Sequence, residues 1–223
     1  MIDTKKLLFF DIETHRVKEL KELSPAMALA FEEHVYNKSE GDFGGTLTDC
    51  YKYKSALIPE FSHVICISMG YELEDGTLKL ASISGVDEVK LLTDFSEITE
   101  HFYSNGYHLA GHNINGFDKP YLIKRYIINQ IKVPSILKTF DKKPWEQEDI
   151  DTLQFYKFGG YTSASLQVIS AALDIACKTT EVRGDNLFEL DIDKVDFNEL
   201  VKYCEEDVQS NHDGFVKMLN VLQ

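Results

Sequence analysis

The sequence of 223 residues lacks the marks of membrane, secreted and disulfide-rich proteins. Its apolar runs fall well short of the roughly 20 residues that a membrane-spanning helix requires, so we expect no membrane partner. The residues before the first apolar stretch lack the h-region and cleavage site of a signal peptide, which predicts a cytoplasmic location. The cysteines show neither paired nor metal-binding spacing and are expected to be reduced: Cys50, Cys66, Cys177 and Cys204.

Positive charge is also scarce. The chain has 23 lysines and arginines against 37 aspartates and glutamates, which gives a net charge of −14. Non-specific nucleic-acid binders are usually basic, so the total charge does not suggest such a partner, although a local basic face can coexist with an acidic total. Residues 119–143 are the most basic stretch, with Asp141 as their single acid. This stretch is either a solvated face or a surface for phosphate groups.

The length and a hydrophobic content of 43% indicate one domain with an ample core, spanning residues 1–223. The chain has no internal repeat, low-complexity tract or clear interdomain linker. Residues 15–60 are long for a connection between two strands. The sequence leaves open whether they form an insertion, a lid or a partner-binding element.

The segment Leu7–Thr14 organises the chain, because four large apolar residues run directly into Asp11 and Glu13. The apolar run predicts a strand that is buried on both faces and that ends after Glu13. Side chains alternate along a strand, so the two carboxylates point to the same side, about 7 Å apart at their backbones. Their repulsion favours a divalent hard cation such as Mg²⁺. Taken alone, however, the pattern is more often explained by two surface acids at the end of a strand.

Periodicity, caps and turn residues predict the remaining elements. Predicted strands follow at Val64–Tyr71, Leu78–Ser84 and Tyr107–His112, with a further short strand around residues 147–157. Predicted helices span 24–36, Asp94–Ser104, 121–130, from Ser163 or Ser165 to Leu173, and from the Asp196 cap to Leu222. A hairpin turn joins the second and third strands, and the strand–helix–strand passage that follows favours a parallel fourth strand.

Two further acidic positions belong to predicted helices. Asp118 lies at a loop-to-helix transition, where helix capping is an ordinary explanation. Tyr203 and Asp207 are four residues apart and are therefore neighbours on one face of the last helix. They lie beside an apolar stripe of that helix that includes Cys204.

Three blocks stand in order: Phe9-Phe10-Asp11-Ile12-Glu13-Thr14, His112-Asn113-Ile114-Asn115-Gly116-Phe117-Asp118 and Tyr203-Cys204-Glu205-Glu206-Asp207. Together they resemble the motifs of the DEDD superfamily of 3′→5′ exonucleases, in its tyrosine subclass. The histidine subclass has His five residues before the last Asp, and Lys202 occupies that position here. The second and third blocks look closest to the proofreading exonuclease of family B DNA polymerases and to related stand-alone exonucleases. The resemblance covers most of the chain from Lys6 to Val208, but residues 15–60 only poorly.

This resemblance implies an α/β fold of the ribonuclease-H-like class, with a mixed five-stranded sheet flanked by helices. Strands one to three would be antiparallel, and the fourth would be parallel to the first. It also implies a 3′→5′ exonuclease that hydrolyses phosphodiester bonds at the 3′ end of single-stranded DNA. Such an enzyme would use two divalent metal ions, Mg²⁺ or Mn²⁺, and release nucleoside 5′-monophosphates.

The resemblance further assigns roles to individual residues. Asp11 would bridge both metal ions. Glu13 and Asp207 would complete the site of the ion that activates water, and Asp118 would hold the second ion through water. Tyr203 would orient the attacking water, since a phenol with an ordinary pKa near 10 is a poor base at neutral pH.

Residues beside these acids are candidates for substrate contacts. Thr14 follows the acidic pair and would contact the terminal nucleotide, while Asn113 and Phe117 match motif positions that face substrate in related enzymes. Core packing is an equally good explanation for Phe117, and bracing of its loop is one for Asn113. Three basic residues are candidates for contacts with backbone phosphates: Lys119, Lys124 and Arg125.

Two other functions remain open on the sequence. An RNA-trimming exonuclease would share the chemistry, since the tyrosine subclass includes RNA enzymes. A non-catalytic module on the same fold would bind nucleic acid or a protein partner, with residues 15–60 as the place for that contact. As an exonuclease, the chain would act free-standing or with a polymerase or repair protein in trans.

Overall fold

A mixed sheet of five strands lies at the centre of the computed structural model, which describes residues 2–16, 18–39, 45–138, 143, 147–176 and 191–222. The strands are β1 Leu7–Arg16, β2 Ser62–Glu72, β3 Leu78–Ser84, β4 His108–Gly111 and β5 Ile150–Asp151. Their order across the sheet is β3-β2-β1-β4-β5. β1 pairs antiparallel with β2, as β2 does with β3, whereas β4 is parallel to both β1 and β5. This topology confirms the predicted fold class and strand directions.

Helices cover both faces of the sheet. The α-helices of the described part are α1 Pro25–Phe31, α2 Leu47–Lys54, α3 Glu88–Ser104, α4 Asp118–Ile128, α5 Thr152–Lys157, α6 Leu166–Ala172 and α7 Phe197–Leu222. α1 continues as a π-helical segment at Glu32–Tyr36 and an α-helical turn at Asn37–Ser39. Short 3₁₀-helices lie at Thr4–Lys6, Leu20–Glu22, Ser55–Leu57, Pro59–Phe61, Ser135–Leu137 and Ile192–Lys194. Within the described ranges, none of the helices combines the length and the apolar character needed to cross a membrane.

The packing of β1 explains why its apolar run shows no alternation with polar residues. Leu8 and Phe10 belong to a buried cluster that contains side chains of α3 and α4. Leu7 and Phe9 point to the other face, where they pack with Phe215 and further residues of α7. Removal of this apolar surface from water on both sides is the main stabilising contribution to such a core. Continued alternation along β1 directs its two acids toward the face that α7 covers.

Two element boundaries differ clearly from prediction. β1 continues to Arg16 rather than ending after Glu13, because its pairing with β2 resumes beyond a register irregularity. α3 begins at Glu88 rather than at Asp94, and Asp87 caps its first turn. The last three residues of β1 are polar, so hydrophobic periodicity did not reveal them as part of a strand. The start of α3 was missed although it contains Leu91 and Leu92, which are buried in the core.

Other predictions of local structure are confirmed. Ser24, Ser165 and Asp196 each accept a hydrogen bond from an N–H group in the first turn of the following helix. The third strand has the predicted bounds. The short strand predicted within 147–157 exists, but it covers only β5 because the chain turns directly into α5.

The segment between β1 and β2 builds a small apolar cluster of its own. The Phe31 ring lies at its centre, with its centroid 4.9 Å from that of Tyr51 and 5.1 Å from that of Phe61. The Ala56 carbonyl accepts a hydrogen bond of 2.7 Å from Thr14 Oγ1, which fastens the segment to β1. The predicted insertion or lid within a single domain stays a prediction.

The cysteines of the described part are free thiols. Cys50, Cys66 and Cys204 are all buried. Cys177 lies outside the described residues.

Candidate active site

β1 carries Asp11 and Glu13 on the face of the sheet that α7 covers. Both alternate with the apolar residues that pack under this helix. Cys204 projects from α7, and its Sγ lies 3.5 Å from the carbonyl oxygen and 3.5 Å from Oδ2 of Asp11. One ligand atom of each of these three residues lies within 4.8 Å of the other two. The first acidic block and the last helix therefore meet at one point.

Asp118 reaches this group from the start of α4. It is the first residue of that helix and is only 3% exposed. Its Oδ1 accepts a hydrogen bond of 3.3 Å from the N–H of Ile12, which stands between the two acids of β1. The second acidic block is thus attached to the backbone of the first.

Tyr203 and Asp207 lie one turn apart on α7, and both side chains are half-buried. The negative charge of Asp207 raises the pKa of Asp11 and also that of Asp118. Such an effect requires that Asp207 lie close to both carboxylates. The structure therefore brings the acids of the three blocks together, while the catalytic role of each residue stays a prediction.

Burial and mutual repulsion oppose the ionisation of these carboxylates. Burial raises the pKa of Asp11 well above its ordinary range, and the charges of Asp118, Glu13 and Asp207 raise it further. Burial also raises the pKa of Asp118 to about 7, although backbone hydrogen bonds from its own N–H and from that of Ile12 lower it, and the charges of Asp151 and Asp207 add smaller increases. A divalent cation bound among these oxygens would reverse the effect, because it favours the charged form.

Asp151 holds the loop that leads to Asp118. Its buried carboxylate accepts hydrogen bonds from the N–H groups of Asn113, at 3.2 Å, and Asn115, at 3.0 Å. The backbone of Asn113 has a positive φ of 61°, a conformation that Asn adopts more readily than most residues. Asn113 therefore braces the loop through its backbone, and a substrate contact by its side chain stays a prediction.

Phe117 and Thr14 adjoin the acids and also contact the protein interior. The half-buried Phe117 ring packs against Tyr121, with ring centroids 5.2 Å apart. Thr14 is 8% exposed and donates its hydroxyl hydrogen bond to the Ala56 carbonyl. Contacts within the protein therefore explain in part why these two side chains lie here. Their contacts with a nucleotide remain predictions.

The three basic residues predicted to contact phosphate occupy different environments. Lys119 is buried and forms an ion pair with Asp149. Arg125 is buried and donates hydrogen bonds of 2.8 and 2.5 Å to the two carboxylate oxygens of Glu88. Since protein carboxylates already neutralise these two cations, we do not retain them as phosphate ligands. Lys124 keeps 52% of its side chain exposed and remains a candidate.

Sequence reasoning did not identify Cys204 as a member of this site. It predicted the residue only as part of an apolar stripe, whereas the structure places the thiol against Asp11. Burial raises the pKa of the Cys204 thiol well above its ordinary value, and Cys66 and Asp11 add to that shift. The helical spacing could have placed Cys204 in the site, because this residue is three positions before Asp207 and shares its face of α7.

The fold and the clustered acids place this protein in the class of ribonuclease-H-like exonuclease folds. The chain belongs to the family described as predicted 3′-5′ exonucleases related to the exonuclease domain of PolB, whose model matches residues 56–221. This membership confirms the resemblance to exonucleases related to the PolB exonuclease domain, and the match includes the second and third blocks. The comparison with curated proteins gave no match.

Among solved structures, the chain is similar to the family B DNA polymerase from the hyperthermophilic archaeon Pyrobaculum calidifontis. The TM-score is 0.59 at 17% sequence identity, over 96% of this chain and 24% of the polymerase chain. At that identity the similarity concerns the fold alone. The chain thus corresponds in length to about a quarter of that polymerase.

Proposed function

We propose that this chain is a metal-dependent 3′→5′ exonuclease that acts on the 3′ ends of single-stranded DNA and releases nucleoside 5′-monophosphates. Membership in a family of predicted 3′-5′ exonucleases supports the reaction class. The observation that carries the proposal is the gathering of Asp11, Glu13, Asp118 and Asp207 at one end of the sheet, where Asp118 is buried and the other three carboxylates are partly buried.

The donor set fits divalent hard cations. Carboxylate oxygens are the ligands that Mg²⁺ and Mn²⁺ prefer, and a bound cation stabilises the ionised form of carboxylates that repel one another. The four acids would hold two such ions, which when bound supply water activation and stabilisation of the charge on the phosphate. Cys204 is not a ligand in this proposal, because hard cations bind a neutral thiol poorly.

The protein's own groups would position the reactants. The hydrogen bond from the Ile12 amide fixes the Asp118 carboxylate in one orientation. The Tyr203 hydroxyl would orient the attacking water, and Phe117 and Thr14 would contact the terminal nucleotide. Lys124 would contact a backbone phosphate. Pre-organisation of this kind lowers the entropic part of the barrier.

Digestion of 5′-labelled single-stranded DNA with Mg²⁺ or Mn²⁺ tests the proposal. We expect a ladder that shortens from the 3′ end, is abolished in Asp207→Ala and is slowed about tenfold in Tyr203→Phe. Asp213→Asn is the matched control, because this acid lies on the same helix and hydrogen-bonds with Gln209 and His212 instead. It should leave the ladder unchanged.

The opposite outcomes are equally informative. Full activity in Asp207→Ala would refute the assignment of the site. Hydrolysis of RNA alone by the folded, metal-loaded protein would replace DNA with RNA as the substrate. No hydrolysis of either polymer would favour a binding module, with residues 15–60 as the place to look for its partner.

A further inference from the structure

Three aromatic side chains are exposed within six residues around the end of α5. Tyr156 is 39% exposed, Phe158 is 72% exposed and Tyr161 is fully exposed. The preceding Phe155 behaves differently, since its ring packs 5.1 Å from that of Phe215 in the core under α7. Large aromatic side chains are costly to leave in water, so such a group of exposed rings calls for a binding partner.

The backbone holds Phe158 in this exposed position. Its φ and ψ are 48° and 37°, in the left-handed region that bulky residues rarely adopt, and Gly159 follows with a φ of 78°. The Gly160 N–H closes the turn with a hydrogen bond of 2.7 Å to the carbonyl of Lys157. Backbone strain at a bulky residue is a reason to look for a function there.

The aromatic segment, residues 152–164, borders the acid end of the sheet. At its start, the Thr152 hydroxyl donates to Asn211 Oδ1 at 2.6 Å, one turn along α7 from Asp207. At its other end, the carbonyl of Ala164 accepts a hydrogen bond from His112. His112 directly follows β4, whose parallel register with β1 brings it to the level of Asp11. Both ends of the segment are therefore tied to the neighbourhood of the proposed active site.

The composition of the segment suits a polyanion. Residues 152–173 contain no aspartate or glutamate, and their only charged residue is Lys157, in a chain with a net charge of −14. A phosphodiester backbone would meet less repulsion here than over most of the surface. Residues 159–165 are small or polar apart from Tyr161, so that ring has accessible faces.

We propose that Phe158 and Tyr161, assisted by Tyr156, form a stacking surface for the bases of single-stranded nucleic acid upstream of the 3′ end. The proposal rests on the exonuclease function and adds to it the residues that grip the strand. Stacking of bases on aromatic rings does not depend on sequence, because every base has a π-face, and a trimming enzyme needs that property. An acid-free position beside the acid end favours a nucleic acid over a protein as the occupant.

Two substrates separate strand gripping from catalysis. The first is a 5′-labelled dT12 oligonucleotide, and the second is the p-nitrophenyl ester of thymidine 5′-monophosphate, which has no upstream bases to stack. We expect Tyr161→Ala and Phe158→Gly each to lower kcat/KM on dT12 about tenfold and to leave turnover of the ester unchanged. Glycine suits the positive φ at position 158, and position 161 is fully exposed, so both variants should fold.

Matched variants complete the design. Tyr103→Ala is the control, since this tyrosine is 47% exposed at the end of α3, next to the start of β4 and thus at the opposite end of the sheet. It should not affect either substrate. Tyr161→Trp should retain activity on dT12, because it keeps a ring available for stacking.

Each remaining outcome overturns one specific claim. Unchanged activity on dT12 in both variants would overturn the stacking surface and point to a protein partner for these rings. An equal loss on both substrates would overturn it as well, since that result indicates a structural role. If the wild type hydrolyses neither substrate, the exonuclease function fails. Fluorescence anisotropy of dT12 binding in Ca²⁺ then tests the stacking surface alone, with the same variants.

Discussion

Two buried carboxylates of this protein differ in their electrostatics although they are equally shielded from water. Asp118 is 3% exposed and Glu88 is 4% exposed. The pKa of Asp118 is raised to about 7, whereas that of Glu88 is held below its ordinary value. Burial acts on both in the same direction, so the neighbours of each group decide the sign.

The neighbours differ in charge. Burial alone would raise the pKa of Glu88, but hydrogen bonds from Arg125, from the Val64 N–H and from Asn129 outweigh it. Asp118 instead lies near other carboxylates. Arg125 supplies the positive charge that Glu88 needs, whereas Asp118 can obtain one only from solution. A buried carboxylate of the second kind marks a candidate metal site.

Removal of the internal cation should have the largest effect. Arg125→Met leaves the Glu88 carboxylate buried and unpaired, so we expect a loss of about 3–5 kcal/mol in the free energy of unfolding. Urea denaturation measures it, with Lys124→Met at the adjacent exposed position as the control. A loss of oligonucleotide affinity without a loss of stability would instead restore the phosphate contact that the sequence suggested for Arg125.

Neutralisation of Asp118 should affect activity and stability in opposite directions. Asp118→Asn removes a metal ligand, and we expect the Mg²⁺-dependent rate to fall at least about 100-fold. In EDTA at pH 8 the same variant should be no less stable than the wild type, because it removes an uncompensated buried charge. Asp87→Ala provides the contrast, since it removes a helix cap and should cost about 1 kcal/mol of stability without loss of activity.

The raised pKa of Asp118 predicts a pH dependence of the metal-free protein. The folded state binds a proton more tightly than the unfolded state, so the contribution of this group to stability is complete below pH 4 and is lost as the pH rises through about 7. Between pH 5 and pH 7 this amounts to about 2 kcal/mol. Denaturation in EDTA should show this decline, Mg²⁺ should reduce it, and Asp118→Asn should show a smaller decline, because Asp11 also has a raised pKa and remains in the variant. A variant with the wild-type slope would contradict the assignment.

The smallest effect is expected at Lys124. This lysine forms only a 3.7 Å ion pair with Glu60, and half of its side chain is exposed. Lys124→Ala should weaken the binding of single-stranded DNA about twofold. The slope of log affinity against log salt concentration should fall by less than the loss of one phosphate contact would cause. Lys5→Ala is the control, because Lys5 pairs with Glu74 at the opposite end of the sheet. Equal effects of both variants would indicate a non-specific charge effect.

The sequence was sufficient where a few neighbouring residues decide the structure. Alternation along a strand placed Asp11 and Glu13 on one side, and helical spacing placed Tyr203 one turn from Asp207. The hairpin predicted the antiparallel pair of β2 and β3, and the crossover predicted a parallel β4, whereas the antiparallel direction of β1 against β2 followed from the family resemblance. These rules are local, and the chain obeys them.

Partners distant in sequence could not be predicted. Lys119 pairs with Asp149 and Arg125 with Glu88, across separations of 30 and 37 residues. The sequence does not show whether a basic side chain ends in solvent or against a buried acid. Lys119 and Arg125 were therefore both predicted to bind phosphate. The contact of Cys204 with Asp11 likewise joins residues that are 193 positions apart, although the spacing of Cys204 and Asp207 on α7 indicated which face of the helix it occupies.

The carboxylate of Asp151 has a consequence for amide hydrogen exchange. It binds four backbone N–H groups on two sides, those of Asn113, Asn115, Leu153 and Gln154. β5 has only two residues, so displacement of this one side chain would release the loop of the second acidic block and the first turn of α5 together. These four amides should therefore exchange as one cooperative unit, and the acid end of the sheet should open before the sheet itself unfolds.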